Sequence, residues 1–217
     1  MPEDKAPDCA GSNSTGINRK GRKFAQVLEG ARTVFLKDGF ELANVDEIAR
    51  TAGVSKATLY SYFPDKGRLF MEVTRCECER LAQNALQEIR EDAPPEQVLA
   101  AAALTLNRLL LTPVAQRMFR ICVAERDRFP ELAADYYRSG PEMGRKRIEA
   151  YLRAATARGE LQIEKFGLAA EQFTDLARSR LWLRSMLGVQ DEFSEDELRE
   201  TAQEAVTTFL ARYAPHR

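Results

Sequence analysis

The sequence predicts an all-α protein, in which a small N-terminal three-helix unit precedes a larger helical region. Three observations carry this. Apolar residues recur at spacings of three and four along most of the chain, strict alternation is absent so that no strand is convincing, and Gly and Pro punctuate the periodic segments. At 217 residues, 44% hydrophobic and 30% charged, the chain can bury a full core and lacks the bias of disordered or fibrous proteins.

Residues 1–18, "MPEDKAPDCAGSNSTGIN", are rich in Pro, Gly, Ser, Asp and Asn and read as a disordered arm. Helix 1 is predicted from about Arg22 to Asp38, with Phe24, Val27, Leu28, Ala31, Val34 and Phe35 on one face and Gly39 as its stop. Helix 2 covers about Val45 to Ala52, with Asn44 as N-cap and Glu47 placed to reach back in a variant of the capping box; Gly53 ends it. Ser55 caps helix 3, which must finish before Pro64 because the residue before a proline is pushed out of helical conformation. Asp65 caps a long helix 4, about Lys66 to Arg90, broken by Pro94 and Pro95. Helix 5 takes about Glu96 to Leu111, helix 6 runs from Pro113 to near Phe129, and Pro130 opens helix 7. Gly140 and Pro141 should kink or split helix 7 before it continues to Arg158 and stops at Gly159. Helix 8 is expected over Leu168 to Leu187. Helix 9 is expected over Glu195 to Tyr213, opened by the capping-box pair Ser194 and Glu197.

Two short helices joined by a Gly-containing turn form a helix-turn-helix, whose second helix enters the DNA major groove. Leu59 and Phe63 share the face that packs on helix 1, and Val54 plugs the turn. Lys56, Ala57, Thr58, Tyr60, Ser61 and Tyr62 are left facing outward or sideways. Hydroxyl and ammonium donors suit phosphate oxygens, and a residue as small as Ala57 permits close approach to a base pair. Lys66 adds a cation at a helix N-terminus, and Arg19, Lys20, Arg22 and Lys23 form a basic arm. Charge agrees: the net value is −1, but residues 19–68 hold ten Lys/Arg against six Asp/Glu, or +4. Taken singly, each feature has an ordinary alternative, since exposed tyrosines are common and "RKGRK" can be a solvated terminus.

The run "VDEIARTAGVSKATLYSYFPDKGRLF", with the preceding "ARTVFLKDGFELAN", resembles the DNA-binding domain of the TetR family of one-component bacterial regulators over about residues 22–70. The resemblance implies phosphate contacts from Thr58, Tyr60, Tyr62 and Lys66, base-facing roles for Lys56, Ala57 and Ser61, and a backbone contact from Asn44; Ser55, which caps the reading helix, joins this set. Gly67 stands where a glutamate is frequent and Ala57 where a glycine is frequent, which bears on the depth of groove entry. The domain expectation is then 1–18 arm, 19–67 helix-turn-helix DNA-binding domain, and 68–217 effector-binding and dimerisation domain.

Palindromic DNA is read by a dimer, so the region after residue 70 must supply a two-fold interface. Helices 8 and 9 are the expected homodimer contact, through Phe173, Leu176, Leu181, Trp182, Met186 and Leu187, and through Val206, Phe209, Leu210 and Tyr213. The alternative is that these close their own subunit's core. The family also implies a pocket for an unknown small-molecule effector, with Met118, Phe119, Cys122, Tyr137 and Trp182 as candidate lining residues, although Met and aromatic residues at helical spacing fill core gaps by default. Arg178, Arg180 and Arg184 could meet an anionic ligand, or pair with Glu171 and Asp175.

Three function classes compete. An enzyme is disfavoured, because the one histidine, His216, lies in the tail and no nucleotide-binding glycine loop is present. No metal or cofactor is expected: Cys76 and Cys78 have no completing zinc ligands, and with Cys9 and Cys122 they read as reduced thiols. The N-terminus has no apolar leader, and the longest hydrophobic stretch, Val98 to Leu106, cannot span a bilayer, so no membrane is expected and the location reads as cytoplasmic. An all-helical protein-interaction module without ligand response would account for helices 4 to 9 only. A ligand-responsive transcriptional regulator, usually a repressor in this family, accounts for both halves.

Overall fold

The computed structural model describes residues 21–86 and 93–215. The predicted arm, Arg19, Lys20, His216 and the end of predicted helix 4 at 87–90 lie outside them. Every regular element among the described residues is helical: α1 (Arg22–Leu42), α2 (Val45–Thr51), α3 (Lys56–Tyr62), α4 (Lys66–Leu86), α5 (Pro95–Leu110), α6 (Pro113–Ala124), α7 (Pro130–Tyr137), a π-helical turn (Arg138–Glu142), α8 (Met143–Ala157), α9 (Phe166–Arg178), α10 (Trp182–Met186) and α11 (Glu195–Tyr213). They form two compact units. One takes in the described residues up to Arg80 together with Arg117–Tyr137; the other takes in those of Leu81–Gln116 and Arg138–Arg217.

In the first unit, α1 buries Phe24, Val27, Ala31, Val34 and Phe35, the stripe its spacing predicts. Gly30 belongs to that stripe for a steric reason: a Cβ there would lie 2.7 Å from the Ala52 Cβ, so only glycine lets α1 approach the end of α2. Gly39 interrupts α1 with φ 77° and ψ −178°, and the chain then delivers Phe40 into the core against Phe35 and Phe70. That backbone conformation is essentially restricted to glycine, while the space around its missing Cβ is empty. Gly39→Ala is therefore expected to lower stability by about 1 kcal/mol through the backbone alone; an unchanged urea midpoint would contradict this.

The Asn44 side chain accepts the Asp46 N–H at 2.8 Å and caps α2. Glu47 does not complete the expected capping-box variant; its carboxylate stands 3.6 Å from both Lys37 and Arg50. Below them α4 contributes Leu69, Phe70 and Val73 to the core, and it also buries a charge. Glu77, 3% exposed, accepts hydrogen bonds from Arg32 of α1 and from Arg80 one turn on, so the carboxylate is doubly paired as burial demands.

The second unit is built on small residues. Ala102 and Ala103 of α5, Ala155 of α8, Ala169, Ala170 and Ala177 of α9, and Ala202 and Ala205 of α11 line one core with Leu99, Leu152, Phe173, Val206 and Phe209. Phe173 and Phe209 meet edge to face, centroids 5.4 Å apart. The capping box of α11 forms as expected: Ser194 accepts the Glu197 N–H at 3.2 Å and Glu197 accepts the Ser194 N–H at 2.8 Å. That backbone hydrogen bond also draws the Glu197 carboxyl below its ordinary pKa.

Two boundaries differ from expectation, and one expected break takes a particular form. Predicted helix 6 stops at Ala124 rather than near Phe129, its last turns replaced by tight bonds such as Phe129 N–H to Glu125 O at 2.8 Å. Gly140 and Pro141 split predicted helix 7 as expected, and the break is a π-helical turn. Predicted helix 8 is cut in two, because Ser179 turns extended, its Oγ donating to the Leu176 carbonyl at 2.8 Å, and Arg180 follows with φ 67°. A serine that bonds its own backbone competes with helix propagation.

Candidate DNA-reading surface

One side-chain cap and two apolar anchors hold α3. The Ser55 hydroxyl accepts the Thr58 N–H at 3.1 Å and stands 2.8 Å from the Thr58 hydroxyl. Leu59 and Phe63 are both fully buried, Phe63 stacked on Phe24 with centroids 5.5 Å apart, and Val54 is half-buried against the same cluster. The underside of α3 is thereby fixed. Its other side is open: Ser55, Lys56, Ala57, Tyr60 and Ser61 are exposed, Tyr60 by 44%, as is Asn44 at the start of α2. Thr58 and Tyr62 are half-buried, Tyr62 lying edge-on to Phe24 at 5.7 Å. Arg22 and Lys23 at the start of α1 are exposed as well.

Two lysines of the expected set are already engaged. The Lys56 ammonium lies 2.9 Å from the Asp46 carboxylate, and that hydrogen bond, followed by the charge, raises the lysine above its ordinary pKa. Lys66 turns inward: its Nζ donates to the carbonyls of Phe40 at 2.8 Å and of Glu41 and Ala43 at 3.2 Å, and it stands 4.6 Å from the centre of the Phe40 ring. It therefore caps the carbonyl end of α1. What Lys66 leaves for an anion is its backbone N–H in the first turn of α4, beside Asp65, whose carboxylate accepts the Arg68 N–H at 2.8 Å.

Asp46 is the residue of this surface that sequence reading passes over; its only signal is an acidic side chain two positions after the cap. It occupies Lys56, and a carboxylate placed beside a phosphate backbone would repel it. Asp46→Asn is expected to raise affinity for cognate and random duplexes alike by about two- to fivefold at low salt and to steepen the salt dependence by up to about one. Titrations of both duplexes across salt concentrations read this directly, and an unchanged affinity would show that Asp46 plays no such part.

Of the five candidate ligand residues, four fall in the first unit and Trp182 in the second. Met118 and Cys122 are buried on α6, Cys122 in the first unit's core, and Phe119 faces Tyr136 with centroids 6.1 Å apart. Tyr137 is 52% exposed, and Trp182 belongs to the second unit. A groove of about 350 Å³ in the first unit is lined by Lys37, Asp38, Gly39, Arg117, Arg120, Ile121 and Ala124, and so by none of the five. The arginines named beside them pair in part: Arg178 with Asp175 at 2.5 Å and Arg180 with Glu200 at 3.3 Å. Of the expected dimer residues, Phe173, Leu181, Val206 and Phe209 are buried inside their own chain, as the alternative reading had them, with Phe173, Val206 and Phe209 in the alanine-lined core. Leu187 is exposed, and so are Leu168, Leu183 and Val189, which the sequence reading left out. Among the described residues no group of His, Cys, Asp and Glu is arranged to hold a metal ion, and no single helix is long and apolar enough to cross a membrane.

Comparison with known proteins agrees with this geometry. Residues 27–73 match the model of bacterial regulatory proteins of the tetR family, and residues 97–215 match the C-terminal domain of AefR-like transcriptional repressors. The fold superposes on a solved structure, the flavonoid-responsive regulator FrrA, with a TM-score of 0.79 and 34% identity over 91% of this chain and 100% of that one. The chain is 36% identical over 93 residues to the transcriptional activator FasR of Mycolicibacterium smegmatis, and 32% identical over 94 residues to the transcriptional repressor AcnR of Corynebacterium diphtheriae. Each of those matches covers 40% of this chain, and they span 42% and 50% of the two relatives.

Proposed function

Because this chain belongs to the TetR family of transcriptional regulators, we propose that it binds a palindromic operator as a homodimer, usually to repress, and is released by a small-molecule effector. The observation that carries the reading is α3 itself, anchored by Leu59 and Phe63 with Lys56, Ala57, Tyr60 and Ser61 turned outward. Asn44, Ser55, Thr58 and Tyr62 complete the surface toward the phosphates, and the first-turn backbone N–H of Lys66 replaces its ammonium in that role.

Dimerisation through the last helices is supported by what stays uncovered there. Leu168, Leu183, Leu187 and Val189 are exposed, and Leu176, Trp182, Met186, Leu210 and Tyr213 are half-buried. The match to a repressor-type C-terminal domain supports ligand response, and likeness to a flavonoid-responsive protein over nearly the whole chain makes flavonoid-class phenols the first effectors to test. An effector can act only through its different affinity for the DNA-competent and incompetent arrangements. α4, which carries the chain out of the first unit, is the element to transmit the change. Such a regulator works in the cytoplasm.

Selection of bound duplexes from a random pool tests the reading. A palindrome with half-sites about 34–36 Å apart is expected. Recovery of no duplex at low salt would leave an interaction module as the better account.

A further inference from the structure

The clamp around Lys66 has a second half. The Phe129 ring, just before α7, meets Phe40 edge to face at 5.1 Å and lies directly over Gly67: a Cβ on that glycine would be 2.8 Å from Phe129 Cε1 and 3.1 Å from the capping Asp65 carboxylate. Arg128 bonds Glu41 and lies over the rings of Phe40 and Phe129, 5.8 and 5.2 Å from their centres. The end of α1 at Phe40–Ala43 and the start of α4 at Lys66–Gly67 are therefore gripped together from two sides, by the lysine from within and by Phe129 from without. Between those two points the chain makes only α2, the turn and α3. The grip closes the base of the helix-turn-helix as a stem closes a loop.

We propose that Phe129 is a positioning residue for DNA recognition, and that Gly67 is glycine in order to seat it. The inference rests on the DNA-binding reading above. Base-edge hydrogen bonds require α3 to be placed within a fraction of an ångström, whereas phosphate contacts tolerate small displacements. Loosening the stem therefore lowers affinity for the cognate duplex more than for random DNA. Crowding it does the same, since a methyl group at residue 67 displaces the ring.

The test measures, with the full chain, affinity for the duplex recovered from a random pool and for its scrambled counterpart, alongside thermal melting. Phe129→Leu and Gly67→Ala are each expected to reduce the cognate-to-scrambled ratio about tenfold, with affinity for the scrambled duplex within about twofold of the parent. The double variant, in which the smaller side chain makes room for the methyl, should recover part of the ratio. Lower melting temperatures with an unchanged ratio in both single variants would overturn the proposal, leaving Phe129 as core and nothing more. A parent protein that selects no duplex would instead sink the DNA-binding reading, and this inference with it.

Discussion

Phe63→Ala is expected to remove about 3–5 kcal/mol from the stability of the DNA-binding unit, the range for deleting a fully buried phenylalanine. No part of Phe63 reaches solvent, and its ring stacks on Phe24, which in turn meets Tyr62 edge to face. Truncation would leave Leu59 as the one fully buried anchor of α3. Because whole domains are stable by only about 5–15 kcal/mol, the variant should lose binding to every duplex together. Tyr60→Ala, a change at a side chain 44% exposed, should melt like the parent and lose affinity instead. A Phe63→Ala protein whose denaturation curve overlays the parent's would show that the underside of α3 is held some other way.

Lys66→Ala is the second change with a large expected effect, and its sign distinguishes two roles. A lysine that contacts phosphate gives, on removal, a salt slope shallower by about one with stability unaltered. The three carbonyls around its Nζ predict the reverse: a stability loss of about 2 kcal/mol, in the range for hydrogen bonds to a charged group, and a salt slope equal to the parent's. Lys66→Arg keeps the charge but not the compact geometry that lets one ammonium reach three carbonyls, so it should recover little of the loss. Melting curves and salt titrations of the same preparations decide between the roles.

What the sequence made legible is what local rules govern. Asn44, Ser55, Asp65 and Ser194 all cap as expected, since a cap is decided within four residues. Pro95, Pro113 and Pro130 open their helices, and the α1 stripe and the Leu59–Phe63 face lie where periodicity puts them. What escaped depends on distant partners. Lys66 looks like a cation at a helix start until the carbonyls 23 to 26 residues earlier are seen to surround it. Arg32 and Glu77 are 45 residues apart and carry no mutual signature. The apolar faces of the last helices could equally have met a second subunit or their own, and only the packing shows Phe173 and Phe209 turned inward. Gly67 was visible as a departure from the family's frequent glutamate; the reason, a ring lying over it, was not.

The alanine-lined core of the second unit sets limits on redesign. Ala102, Ala103, Ala169, Ala170, Ala202 and Ala205 are all buried in this one core, so an enlarged side chain there must push its neighbours aside, at about 1–3 kcal/mol per overpacked site. Mutant libraries of this unit should therefore spare those methyl groups and diversify bulkier neighbours, because variation at the alanines would exhaust foldability first.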